Sequence, residues 1–259
     1  MSKTRADQRL VELGLADSRT RAQALIMGGH VFADDRQVAK AGQLYAADIV
    51  LTVKGRDHPW VSRGGIKLDH ALDALDWDVC GDVAIDVGSS TGGFTDVLLS
   101  RGAARVYAVD SGTNQLAWKL RQDSRVIVHE QTSARILTAE HIPEPIDLIV
   151  CDASFIALHK VLPVPMSFAR DGARIIALVK PQFEAERGEI GKKGVVRDAT
   201  VHDRVCRDAR DWFEQQGWTT QPIMTSPITG PEGNVEFLLA ATRGDVKDDA
   251  ASIHGDSAQ

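Results

Sequence analysis

The chain has 259 residues, 43% of them hydrophobic and 25% charged, with a formal net charge of −6, an ordinary globular composition with room for one large domain and one small one. No apolar run approaches the ~18 residues that span a bilayer, and the opening MSKTRADQRL lacks the apolar centre of a signal peptide, so neither a membrane span nor export is expected. Cys80, Cys151 and Cys206 stand far apart with no CxxC spacing, which argues against a disulfide framework or a zinc site; the expected setting is a reducing cytoplasm, with no metal.

Charge is unevenly spread. Residues 1–67 carry 11 Lys/Arg against 7 Asp/Glu, a net of +4, while the remainder carries 19 against 29, a net of −10. That asymmetry suggests a basic, nucleic-acid-facing module on an acidic body. In chain order, residues 5–14 and 18–28 read as two short helices, the first ended by Gly14, the second capped by Ser18 and closed by Gly28-Gly29. HVFA and DIVLTV read as short strands around the polar turn DDRQ. KGRDHPW reads as a linker.

Beyond it, strands alternate with helices. VAIDV (83–87), RVYAV (105–109), RVIVH (125–129), DLIVCD (147–152) and ARIIALVK (173–180) read as strands. Helices are expected from Gly92, near Gln115–Arg121, around 157–169 and over 200–216. Two further strands near 219–225 and 235–242, joined by SPITGPEGN, read as a hairpin. The alternation predicts an α/β fold with a doubly wound, mostly parallel sheet. Residues 244–259 are polar and expected to be disordered.

VAIDVGSSTGGFTDVL is a strand, a glycine-rich turn and a helix. Its spacing is neither GxGxxG nor GxxxxGK[ST], which disfavours a dinucleotide or a P-loop phosphate. Glycines allow close backbone approach, and a helix N-terminus favours polar or anionic groups. Asp86 precedes the turn, and Asp110 ends the next strand, where an acid accepts hydrogen bonds from ribose hydroxyls. The turn Gly88, Ser89, Ser90, Thr91, Gly92 and Gly93, with those two acids, suits S-adenosylmethionine, Asp86 meeting its amino-acid end.

The acceptor must be read from charges at element ends. An Asn/Asp-Pro-Pro-aromatic motif is missing, because the fourth strand leads into Asp152-Ala153-Ser154-Phe155. Cys151 sits in an apolar strand without a preceding proline and reads as packing. Asp152 and Lys180 follow apolar strands, where doubly wound sheets gather ligands. Glu236 opens EFLLA and falls on the same side if that strand runs antiparallel. Lys67 begins a helix bearing Leu68, Leu72 and Leu75, and a helix N-terminus disfavours an added cation there. Two lysines and two acids suit a hydroxyl acceptor such as a ribose 2′-OH, with a neutral lysine taking its proton. Transfer would then be an in-line displacement that needs proximity and no metal.

WVSRGGIKL, DVGSSTGGFTDVLL, LIVCDASFI, LVKPQFE, GVVRD and GPEGNVEF together resemble the TlyA family, hemolysin-A-like rRNA methyltransferases with an FtsJ-type domain. The resemblance spans about residues 5–242. It implies a Rossmann-like seven-stranded methyltransferase sheet and 2′-O-methylation of cytidine in ribosomal RNA of the small subunit, the large subunit or both. It also implies a catalytic Lys67, Asp152, Lys180 and Glu236, with Lys180 as base. RADQRLVELGLADSRTRAQALIMGGHV resembles an S-four-type RNA-binding domain, a small α+β module in which Arg5, Arg9, Arg19 and Arg21 would face phosphate. The implied layout is this module over 1–54, a linker over 55–62, the methyltransferase domain over 63–243, and the tail. ERGEIGKKGVVRD (186–198) is expected to form a mobile lid carrying Lys192, Lys193 and Arg197 toward RNA, with Arg63 beside the site. A ribosome-binding factor without catalysis, or a membrane-acting hemolysin, are the competing readings.

Overall fold

The computed structural model describes residues 3–16, 18–46, 48–53, 58–230 and 233–244, apart from the side chain of Lys192. The expected disordered tail lies, from residue 245 on, outside the described residues, as do residues 54–57 of the expected linker. The chain forms two compact units, Met1–Pro59 and Trp60–Gln259.

The first unit comprises β1 (Lys3–Arg5), α1 (Ala6–Glu12), α2 (Arg19–Met27), β2 (Val31–Ala33), β3 (Arg36–Gln37), β4 (Leu44–Ala46) and β5 (Leu51–Val53). Ser18 caps α2 as expected, its Oγ accepting from the Arg21 N–H at 3.2 Å. β2 pairs antiparallel with β3 and β5, and β1 pairs antiparallel with β4. Ala6, Leu10, Ala22, Leu25, Ile26, Val31 and Leu51 fill its core.

The second unit comprises α3 (Gly64–Leu75), β6 (Val83–Val87), α4 (Gly93–Ser100), β7 (Arg105–Val109), α5 (Trp118–Arg121), β8 (Val126–His129), β9 (Ile146–Cys151), α6 (Leu158–Val161), α7 (Pro163–Ser167), β10 (Ala169–Val179), α8 (Pro181–Glu184), α9 (Ala199–Gln215), β11 (Trp218–Thr220), β12 (Met224–Thr225) and β13 (Phe237–Arg243). The sheet runs β11-β13-β10-β9-β6-β7-β8, with β12 also on β13. From β10 to β8 the pairs are parallel, and β13 is antiparallel to β10, β11 and β12.

Two expectations are corrected in detail. Among the described residues the sheet keeps a seven-strand path, and the segment expected as one strand over 219–225 splits into β11 and the short, off-path β12 around Pro222, which has no N–H to give a ladder. The helix expected over 157–169 is two short turns, with Pro163 starting the second.

Strand side chains alternate between faces, and the core divides accordingly. Ile85, Tyr107, Ile149, Ile175 and Leu239 meet Leu158, Leu162 and the α9 residues Val205 and Phe213. Ala84, Val106, Leu148, Ile176 and Leu238 meet Leu68 and Leu72 of α3 and Phe94 and Leu98 of α4. Each fully buried Leu or Ile contributes about 1.5–3 kcal/mol. Helices on both faces make the sheet doubly wound. Because the chain leaves β6 for β7 and β8 and returns to β9 on the other side, the crevice between the carboxyl ends of β6 and β9 is the topological switch point, where such sheets bind ligands.

Candidate active site

Strand parity assembles the site. In β6, Ala84 and Asp86 face α4, and their registered partners Leu148 and Val150 in β9 share that face. Two residues further on, Asp152 continues the same set. In β10, Ile176 and Leu178 point that way, and Lys180 follows them by the same step. β13 pairs Leu238 with Leu178, so Glu236, one residue before the strand, arrives opposite Lys180. The antiparallel direction supposed for this strand is the one observed. Cys151 has the opposite parity and is fully buried in the other core layer, where burial pushes its thiol up to about 12; it is packing, as expected.

Lys67 comes down from the first turn of α3. Its helix can sit this close because of glycines: a Cβ on Gly65 would lie 2.4 Å from the Trp60 ring, and one on Gly93 would lie 2.9 Å from the Gly65 nitrogen. Lys67 Nζ lies 2.6 Å from Glu236 Oε2 and 3.5 Å from Asp152 Oδ2. Lys180 Nζ lies 2.6 Å from Asp152 Oδ1, and it donates to the Asp152 main-chain oxygen at 3.0 Å and to Ser154 Oγ at 2.9 Å. Lys67, Lys180 and Glu236 are buried. Burying single ions would cost several kcal/mol each, and alternating charges at these distances offset it. All four predicted catalytic residues are thus brought together. Pro181 is the first residue of α8, so Lys180 stays extended (φ −112°, ψ 102°) and turns off the sheet at its rim.

The glycine-rich turn abuts this cluster. Gly88 adopts φ +78°, and a Cβ there would lie 2.9 Å from Ala153 Cα. The turn and the Asp152–Ala153 backbone therefore share one wall. Asp110 shapes the turn from the other side, accepting from the Ser90 N–H at 2.8 Å and the Gly112 N–H at 2.7 Å. Ser90 holds φ 46°, a left-handed conformation that costs free energy in a non-glycine residue and that the Asp110 bond supports. Ser89 is buried, with its N–H on the Val109 oxygen. Thr91 is exposed beside Gly92 and Gly93, which open α4.

Asp86 sits deeper than the sequence reading has it. It is fully buried, and its Oδ2 accepts from the Thr95 N–H at 3.0 Å and hydroxyl at 2.7 Å, tying the start of α4 to β6. Burial pushes this carboxyl up to about 7. Its Oδ1 has no hydrogen-bond partner. An unmatched buried acceptor, a glycine cradle and the Asp110 carboxylate are a donor and acceptor set that fits a cofactor with a cationic amino-acid end and a ribose.

The predicted RNA contacts fare unevenly. Arg9 is corrected: it is buried and donates to the main-chain oxygens of Ala46 and Ile49, so it holds the β4–β5 region and is not offered to phosphate. Arg5 and Arg19 are exposed on the same side of Asp7, at 2.9 and 3.4 Å, and Arg21 is half-buried. Arg63 is exposed and donates to the Thr229 oxygen at 3.2 Å. Lys193 and Arg197 are exposed; the side chain of Lys192 lies outside the described residues. The segment expected as a lid is anchored. Arg204 holds Glu189, Asn234 Oδ1 accepts from the Val196 N–H at 3.2 Å, and Asn234 Nδ2 donates to the Gly194 oxygen at 3.1 Å.

Two residues escaped the sequence reading. Phe155 is 91% exposed, with φ 65°, and its ring lies 5.1 Å from that of Phe183, beside which Lys180 Nζ stands at 6.0 Å. A large aromatic presented to solvent on unfavourable backbone can stack on a base. The other is Ser154, on Lys180 itself. An aromatic three residues after the strand-end acid Asp152 was the available signal for Phe155; nothing in the sequence marks Ser154.

A glycine turn at the switch point of a doubly wound sheet, walled by a Lys–Asp–Lys–Glu cluster, defines a Rossmann-like methyltransferase. The family can be stated more closely. The model for FtsJ-like methyltransferases matches residues 60–243, and that for the S4 domain matches residues 4–45. The chain belongs to the FtsJ-like methyltransferase family. It is 46% identical to the Bacillus subtilis protein YqxC over 92% of this chain and 85% of that one. It is 45% identical to the 16S/23S rRNA (cytidine-2′-O)-methyltransferase TlyA of Mycobacterium tuberculosis over 92% and 89%. The solved structure of a hemolysin-like protein from Streptococcus thermophilus superposes with a TM-score of 0.75 at 40% identity, covering 95% of this chain and 90% of that one. Among the described residues no helix is long and apolar enough to cross a membrane.

Proposed function

We propose that the protein is an S-adenosylmethionine-dependent methyltransferase that modifies the 2′-hydroxyl of cytidine in ribosomal RNA, acting on ribosomal subunits in the cytoplasm. The observation that carries this reading is the shared wall between the glycine turn and the Lys67–Asp152–Lys180–Glu236 cluster, which brings a cofactor cradle and a proton-accepting group side by side. The relationship to TlyA at 45% identity over nearly the whole chain supports the substrate class. The bound cofactor would supply an activated methyl on a sulfonium.

Gly88 to Gly93 and Asp110 would hold the cofactor, and the leftover Asp86 acceptor would face its ammonium directly or through water. Lys180 is the base. Asp152 bridges both lysines and fixes their positions, and Glu236 is paired with Lys67, which would favour the oxyanion as it forms. Phe155 would support the target base and orient its ribose. Arg5, Arg19 and Arg21 on the first unit, with Arg63, Lys193 and Arg197 on the second, would contact phosphates and fix register without reading sequence. We assign RNA docking to residues 1–54 and methyl transfer to 63–243.

The test is transfer of labelled methyl from S-adenosylmethionine to separated ribosomal subunits, followed by mapping of the modified nucleotide. Transfer to a cytidine 2′-oxygen is expected. Lys180→Ala should lower the rate about 10²–10⁴-fold, the range for loss of a general base, with cofactor affinity by calorimetry unchanged. Full activity in that variant would sink the assignment of the base. Binding to subunits without transfer would replace the enzyme by a ribosome-binding factor.

A further inference from the structure

Lys180 is the base in the reading above, yet it is buried. Its side chain is 6% exposed, whereas the adjacent Ser154 is exposed. Three oxygens surround the Lys180 nitrogen within 3.0 Å: Asp152 Oδ1, the Asp152 main-chain oxygen and Ser154 Oγ. An ammonium has three N–H bonds to give; it donates to the Asp152 main-chain oxygen and to Ser154 Oγ, and it is held against Asp152 Oδ1 as an ion pair without hydrogen-bond geometry.

The difficulty comes when Lys180 must accept a proton. A neutral amine keeps two N–H bonds and one lone pair, so one of the three oxygens must then face that lone pair. A carboxylate and a carbonyl only accept, and either would repel it. A hydroxyl is both donor and acceptor and rotates freely between the roles. Of the three partners, Ser154 alone can donate to the amine. While donating, its oxygen still has lone pairs for a second hydrogen bond, and it is the partner that solvent, and hence a ribose, can reach.

We infer that Ser154 relays the proton from the acceptor hydroxyl to Lys180, an inference that rests on the proposed 2′-O-methyl transfer. In the step, the 2′-O–H bond breaks and its proton binds Ser154 Oγ, while the Ser154 proton moves to Lys180 Nζ. The electron pair left on the ribose oxygen forms the new O–C bond to the methyl. The C–S bond breaks with its pair going to sulfur, which becomes a neutral thioether. Lys180 ends as an ammonium, so the single positive charge passes from sulfur to lysine, and Ser154 is restored as a hydroxyl. The Asp152 contacts hold Lys180 in place throughout.

The experiment compares full-length wild type, Ser154→Ala, Ser154→Thr and Lys180→Ala in single-turnover methyl transfer to ribosomal subunits, in H2O/D2O mixtures, with cofactor affinity measured by calorimetry. Ser154 is exposed, so its truncation should leave the fold intact. Ser154→Ala should lower the rate about 10²-fold, the lower bound for general acid–base participation, at unchanged cofactor affinity. Ser154→Thr, which keeps a hydroxyl, should recover most of it. The wild-type rate should fall along a curve with deuterium fraction, as for two protons in flight, and that of Ser154→Thr likewise. A Ser154→Ala enzyme with wild-type rate, or a Ser154→Thr enzyme as slow as Ser154→Ala, overturns the relay while leaving methyl transfer intact. Absence of transfer by the wild type overturns the relay together with the function on which it rests.

Discussion

The two units each bury an aspartate completely and treat it in opposite ways. Asp7, in the first, takes hydrogen bonds from Arg5, Gln23 and Arg19 at 2.9 to 3.4 Å, and the Arg5 guanidinium above all holds its carboxyl well below the usual range. Asp86, in the second, has only the neutral donors of Thr95 and is pushed up to about 7. Both carboxyls are closed to solvent, but Asp86 lies deep in the core, where burial raises it, while Asp7 lies just below the surface, where a guanidinium partner lowers it; depth decides the one and the partner's charge the other. The exposure of the cations differs too. Arg5 and Arg19 are 44% and 59% exposed, so they stay available to a polyanion while held in place. Lys67 and Lys180 are 9% and 6% exposed, available only to what enters the site.

The largest break in that comparison comes from taking a buried cation away. Lys67→Met leaves Glu236, 1% exposed, without its closest counter-charge. It should cost about 3–5 kcal/mol in urea unfolding and abolish methyl transfer. Adding Glu236→Leu should restore much of the stability and none of the activity; no recovery would show that the pair is not the source of the loss.

Asp86→Asn sharpens it. A folded-state carboxyl titrating near 7 against an unfolded one near 3.8 binds the extra proton in the folded state between those values. The wild type therefore loses stability as pH rises through that window. Between pH 5 and 8 the difference between variant and wild type should move by about 2–3 kcal/mol in favour of the variant, at about 1.4 kcal/mol per pH unit. Cofactor binding should weaken in the variant. A pH-independent difference in urea midpoints would mean that Asp86 ionises normally.

The smallest effect is on the exposed side. Arg19→Ala should change stability by less than about 1 kcal/mol. It should weaken binding to an rRNA fragment and lower the slope of log affinity against log salt by about 1. An unchanged slope would make Arg19 a solvated residue with no RNA contact.

Much of this arrangement was readable from the chain. Apolar runs ending in Asp152 and Lys180, and a Glu236 that opens one, are local features, and period-two alternation carries them to a common face. Contacts made across long separations were not readable. Arg9 looks like any helix-surface arginine until the chain returns at Ala46 and Ile49, 37 and 40 residues later, to present carbonyls. The β1–β4 pairing is equally remote in sequence. Pro163 and Pro165 were visible, and their effect on the helix expected over 157–169 follows from the missing N–H and the fixed φ; there, apolar periodicity hid the break. The depth of Asp86 depends on how tightly α4 seats on β6, which a glycine count does not convey.

Alternation along β10 also bears on which changes of chain length the protein can absorb. Lys180 reaches its partners because it lies an even number of residues from Ile176 and Leu178. A one-residue insertion or deletion between them, with the strand still paired, would keep every catalytic side chain in the sequence yet turn the lysine toward the layer that holds Cys151. Families built on this plan should therefore vary in length at loops away from the site and hold strand lengths fixed, a restriction on indels that a list of four charged residues would not disclose.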